Sequence, residues 1–99
     1  MKATHLLITG RVCGVGYRDW LVTEAQQLGI DGWVRNIGHD TVEALLAGDT
    51  EAVEECLRAC RRGPPMAAVE SITDTHAEPP GEPGFFKRAS LAAPPEGSK

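Results

Sequence analysis

Gly10, Gly14 and Gly16 separate two segments that cannot share one conformation. Ahead of them, residues 4–10 are β-branched and aliphatic and end in glycine, which is strand composition. Behind them, Tyr17, Trp20, Leu21, Ala25 and Leu28 recur at three- and four-residue steps. That period predicts a helix over residues 17–28. The chain must therefore pass from strand to helix through Arg11-Val12-Cys13-Gly14-Val15-Gly16. Gly29 is placed to stop the helix, because glycine tolerates the left-handed conformation found there.

The rest of the chain is punctuated in the same way. Residues 30–36 and 42–47 read as strands joined by residues 37–41, which predicts a hairpin. Asp49 or Thr50 can cap a second helix that runs to residue 61 or 62. Val53, Cys56, Leu57 and Cys60 give it one apolar stripe. Its acids come early and its arginines late, which suits the helix dipole. Gly63-Pro64-Pro65 ends it. Residues 68–75 alternate as a fourth strand, residues 78–84 are a proline- and glycine-rich loop, and residues 85–89 are a short fifth strand. The order β-α-β-β-α-β predicts an α+β, ferredoxin-like split β-α-β sandwich, an antiparallel sheet with two helices on one face. Residues 1–90 make a single domain, and residues 91–99 are expected to form a flexible tail.

A chain of 99 residues supports one modest core. Its apolar runs are too short to span a bilayer. Met1-Lys2-Ala3-Thr4-His5 lacks the pattern of a secretory signal, so a cytoplasmic location is expected. The net charge of −4 argues against a basic nucleic-acid or membrane-binding face. An anionic ligand must then be captured by local geometry. Cys13, Cys56 and Cys60 are an odd set with no histidine or cysteine partners at zinc-ligand spacing, so neither a disulfide framework nor a metal site is expected. Cys56 and Cys60 read as core packing.

The strand-to-helix position of residues 10–18 has a chemical consequence. The first N–H groups of a helix have no internal partners, and the helix dipole adds positive charge there. Glycines let those amides turn inward around an anion. Arg18, in the first turn, can give two parallel N–H bonds to two phosphate oxygens. On pattern alone, two readings stand: a tight turn that needs glycine, or a phosphate cradle. The stretch is neither a P-loop nor a dinucleotide fingerprint. A thiolate phosphatase is disfavoured too, because Cys13 and Arg18 enclose only Gly14-Val15-Gly16-Tyr17, one residue short of that register.

Ile8-Thr9-Gly10-Arg11-Val12-Cys13-Gly14-Val15-Gly16-Tyr17-Arg18 resembles the first signature of the acylphosphatase family. Gly32-Trp33-Val34-Arg35-Asn36, followed by Val42 and Gly48, resembles the second. The resemblance implies a small, cofactor-free hydrolase that cleaves carboxyl–phosphate anhydrides such as acetyl phosphate or 1,3-bisphosphoglycerate. Arg18 and the loop residues Cys13, Gly14, Val15, Gly16 and Tyr17 are then expected to hold the phosphate, and Asn36 to orient the attacking water. Without the resemblance, an asparagine at a strand end reads as a turn cap. The implied partner is a small-molecule acyl phosphate. Inorganic phosphate or sulfate is expected in the same loop, no metal, nucleic acid or membrane is expected, and the chain is expected to be a monomer.

The sequence departs from the family at three places. Cys13 stands where the family usually has Gln. It reads either as a small buried filler or as a thiol whose pKa the loop amides lower, making the site sensitive to oxidation. Asp40 replaces a turn glycine, and Gly38 is the candidate to supply the positive-φ position earlier. Tyr17 replaces Phe and needs a partner for its hydroxyl. His5, His39 and His76 are scattered and read as surface or hairpin residues rather than acid–base catalysts. The competing functional class is a binding module that holds phosphate or carbamoyl phosphate without turnover, as such domains do inside larger hydrogenase maturation proteins. The lack of a zinc-finger or partner domain disfavours it. A nucleic-acid binder is disfavoured by the negative charge and by 5% aromatic residues.

Overall fold

Alternation of side chains makes the first aliphatic run a central strand. The computed structural model describes residues 1–92, and residues 93–99 of the expected tail lie outside them. β1 (Lys2–Arg11) turns Leu6 and Ile8 into the core at zero exposure, while His5 and Leu7 take the opposite face. There follow α1 (Tyr17–Gln27), β2 (Asp31–Ile37), β3 (Thr41–Gly48), α2 (Thr50–Arg62), β4 (Ala68–His76) and β5 (Phe85–Lys87). In space the strands lie β4-β1-β3-β2-β5. This is the expected sandwich.

The first four strands pair antiparallel, as expected. β5 instead joins β2 in parallel, with Gly32 opposite Phe85 and Val34 opposite Lys87, so the sheet is mixed. A period of two reports which residues share a face but not which way a strand runs. The direction of β5 follows from the connection after β4, which carries the chain from one sheet edge to the other. Pairing continues past β5. Leu91 bridges Ile37, its N–H donates to the Asn36 carbonyl at 2.9 Å, and its carbonyl accepts from the Gly38 N–H at 2.8 Å. Leu91, expected in the tail, is thus anchored to β2.

One face of the sheet makes the core. Leu6, Ile8, Val34, Val42, Ala44 and Leu46 from the strands meet Tyr17, Leu21 and Ala25 of α1 and Val53, Cys56 and Cys60 of α2. Burial of these apolar groups is the main drive to fold. Cys56 and Cys60 are buried free thiols, as expected. The expected cap of α2 is realised only in part. Asp49 occupies the N-cap position, but its carboxylate makes no capping bond. Its main-chain carbonyl accepts from Val53 N–H at 2.9 Å. Glu51 in the first turn and Arg61 and Arg62 in the last still complement the dipole. No helix among the described residues is long and apolar enough to cross a membrane.

The other face carries an ion-pair cluster. Glu43 accepts from Arg35 Nε at 2.6 Å and lies 2.7 Å from His5 Nε2. Burial alone pushes the Glu43 carboxyl up, but the hydrogen bonds of His5 and Arg35 outweigh it and hold the group below its ordinary value. A carboxyl depressed in the folded state stabilises above its unfolded pKa of about 4.3 and stops doing so as pH falls through the folded value. Glu43→Gln is therefore expected to lower stability by about 1–3 kcal/mol at neutral pH. The deficit should shrink as pH falls below the usual glutamate range. Urea unfolding midpoints of both proteins across that range check this, and a deficit independent of pH contradicts it.

Candidate active site

The strand period decides what β2 offers to each side. Trp33 and Arg35 share the open face, where the Arg35 and Arg88 guanidinium carbons sit 5.1 and 4.7 Å from the Trp33 ring centre. Gly32, Val34 and Asn36 take the helix side. Gly32 is required there by close approach. At φ 143°, a Cβ on it would lie 1.8 Å from the Leu45 carbonyl oxygen. Asn36 ends the series beside the start of α1, and that is how a strand residue comes to face the β1–α1 loop.

The loop itself is held at three points. Gly10 N–H donates to the Asp40 carbonyl at 3.1 Å. Cys13 Sγ donates to the Thr41 carbonyl at 3.4 Å. Tyr17 Oη donates to the Cys60 carbonyl at 2.6 Å, a late carbonyl of α2. That bond supplies the partner the tyrosine needs and fixes the first residue of α1. Between these anchors, Gly14 and Gly16 adopt φ of 76° and 81°. Such values favour glycine and turn successive amides the same way. Trp20 N–H is the first in α1 to find a carbonyl, that of Gly16. Among the described residues, the N–H groups of residues 13–19 make no well-aligned main-chain hydrogen bond.

Val12, Gly14, Gly16, Tyr17, Arg18, Asp19 and Asn36 line a cleft of about 190 Å³. Arg18 is braced across it, donating from Nη1 to the Arg88 carbonyl at 3.3 Å. Asn36 Oδ1 is buried and finds no hydrogen-bond partner in the protein. An unpaired buried oxygen costs free energy, so its persistence calls for a reason. Structural demands at this position are met by the main chain, through the bond from Leu91. A wider groove of about 310 Å³ lies between α1 and α2, but its lining of Glu24, Gln27, Leu28, Glu55, Arg58, Ala59 and Arg62 shares no residue with the loop.

Of the residues named from sequence, Gly14, Gly16, Tyr17, Arg18 and Asn36 meet at the cleft, while Cys13 and Val15 fall outside its wall. Cys13 corrects one expectation. Burial pushes its thiol up and Asp40 adds to this, against the opposing effects of the Thr41 backbone and Arg18. A lowered thiol pKa is therefore overturned, and Cys13 acts as a half-buried brace packed against the core. Gly38, at φ 64°, supplies the positive-φ position that Asp40 does not. His5 lies in the Glu43 cluster, His39 and His76 are exposed, and no histidine is in the cleft wall among the described residues. Sequence reading missed Asp19 and the contribution of β5. Asp19 follows Arg18 directly, which is a usable signal. The Arg88 carbonyl and Lys87 come from 70 and 68 residues away and leave no local pattern.

Fold and cleft together define a split β-α-β sandwich with free amides, one arginine and one unpaired asparagine oxygen at the β1–α1 junction. The acylphosphatase family model matches residues 4–87. The acylphosphatase of Acidiphilium cryptum is 63% identical over 90 residues, covering 91% of this chain and 99% of that one. An acylphosphatase structure from Coxiella burnetii superposes with a TM-score of 0.84 at 28% identity, covering 88% of this chain and 92% of that one. Full-length HypF in its phosphate- and nucleotide-bound form shares the fold at a TM-score of 0.84 and 23% identity, with 91% of this chain matching 12% of that one. The chain belongs to the acylphosphatase family.

Proposed function

We propose that the cleft hydrolyses the carboxyl–phosphate bond of acyl phosphates, such as acetyl phosphate or 1,3-bisphosphoglycerate, to carboxylate and inorganic phosphate by direct attack of water. The observation that carries this reading is Asn36 Oδ1, buried without a partner in the wall that Arg18 also lines. Amides of Cys13, Gly14, Val15, Gly16 and Tyr17 and the Arg18 guanidinium hold the phosphoryl oxygens. Asn36 Oδ1 accepts a hydrogen bond from one O–H of the water, which keeps that proton, and so aims an oxygen lone pair at phosphorus. The carboxylate leaves readily, and the substrate phosphate can take the water's second proton, so no strong base is needed. Positioning and charge stabilisation supply the acceleration. The same reading has a cofactor-free, cytoplasmic monomer acting on a small molecule, with inorganic phosphate or sulfate competing for the loop.

Purified protein is expected to hydrolyse benzoyl or acetyl phosphate with a metal chelator present, and absence of turnover sinks the proposal. Arg18→Ala should lower kcat/KM by roughly 10²–10³. It should also abolish competitive inhibition by inorganic phosphate, because one group serves both binding and the transition state. Retained phosphate inhibition contradicts the role given to Arg18.

A further inference from the structure

Asp19 follows Arg18 in the first turn of α1 and lines the same cleft. It is the one carboxylate in the cleft wall among the described residues. A phosphate group carries close to two negative charges at neutral pH, so an uncompensated Asp19 would repel the ligand that Arg18 attracts. The Asp19 and Lys87 side chains are 75% and 45% exposed, so water and salt screen the repulsion, and a nearby dianion should feel it as a change in affinity of about three- to tenfold.

The compensation comes from the far edge of the chain. Lys87 Nζ lies 2.7 Å from Asp19 Oδ1. Lys87 ends β5 and pairs in register with Val34, two residues before Asn36. The next residue, Arg88, offers the carbonyl that braces Arg18. The last residue of β5 and the one after it therefore each hold a side chain of the cleft wall, Arg88 its arginine and Lys87 its carboxylate. The Lys87 hydrogen bond, then its charge, hold the Asp19 carboxyl below the usual carboxylate range, with Arg18 adding less. Asp19 thus stays ionised, and its charge has to be cancelled rather than protonated away.

We propose that Lys87 is a positioning residue for the substrate phosphate: paired with Asp19, it cancels the carboxylate in the cleft wall, so that the dianion meets the field of Arg18 unopposed. This rests on the phosphate-binding reading of the cleft. It also assigns the parallel strand β5 a task in the site beyond completing the sheet.

The test compares the wild-type protein with Lys87→Met, Asp19→Asn and the double variant at low salt. Inorganic phosphate affinity is read by calorimetry and acetyl phosphate turnover by steady-state kinetics. Lys87→Met should weaken phosphate binding and raise KM about three- to tenfold, with kcat within roughly twofold. Asp19→Asn in that background should restore both values, and added salt should shrink the Lys87→Met defect. Should Lys87→Met fail to fold, Asp19→Asn alone decides, because it should bind phosphate at least as tightly as wild type. Unchanged phosphate affinity in Lys87→Met, a double variant as weak as the single one, or weaker binding by Asp19→Asn each overturns the proposal. A wild-type protein that neither binds phosphate nor hydrolyses acetyl phosphate defeats the underlying reading instead.

Discussion

Asn36→Ala is expected to lower kcat by roughly 10²–10³ while leaving inorganic phosphate affinity nearly intact. Its stability should be unchanged or slightly higher. The two halves of this expectation have one source. Asn36 Oδ1 is buried without a partner, so the folded protein gains little from it and bears its desolvation. The structural bond at this position belongs to the main chain, where the Asn36 carbonyl accepts from Leu91. Alanine keeps that bond and removes only the amide. In the proposed function phosphate is held elsewhere, by Arg18 and the loop amides, so binding should survive while the water loses its aim. A turn-capping asparagine would behave in the opposite way, losing stability and keeping activity. Urea unfolding, phosphate inhibition and acetyl phosphate turnover, measured on one preparation, separate the two cases.

Gly32→Ala should destabilise the fold by about 4 kcal/mol or more, among the largest effects of a single substitution. The added Cβ would sit 1.8 Å from the Leu45 carbonyl oxygen and 2.8 Å from its carbon, and φ of 143° is itself unfavourable for an L side chain. Leu45 is not free to retreat, because it pairs with His5 on one side and Trp33 on the other. β2 would have to move instead, and Asn36 lies on the same strand. Reduced activity should therefore accompany the loss of stability, in contrast to Asn36→Ala. Chemical unfolding checks this, and a stability within about 1 kcal/mol of wild type contradicts the close-approach reading.

Local pattern made much of this legible. The alternation in β1 and the helical steps from Tyr17 to Leu28 sufficed for the sandwich, because each reflects burial of one face. The glycine-rich turn between strand and helix was legible too, and Gly14 and Gly16 take the positive φ that the pattern calls for. What stayed hidden depended on distant partners. The parallel course of β5 leaves no trace in a three-residue strand. Cys13 was open between reactive thiol and filler until burial and the Thr41 carbonyl decided it. Asp49 had the right type for a cap, yet its carboxylate caps nothing. Asn36 alone read as a turn residue. Its facing with Arg18 arises from the register of β2 against β3, which fixes the side of the sheet it takes.

The most direct test of water attack at phosphorus is turnover in water enriched in heavy oxygen, with benzoyl phosphate as substrate and a metal chelator present. The label is expected in inorganic phosphate, with none in benzoate beyond the unenzymatic background. Label in benzoate, or no turnover at all, contradicts a site in which Arg18 holds the phosphoryl group and Asn36 aims the water at it.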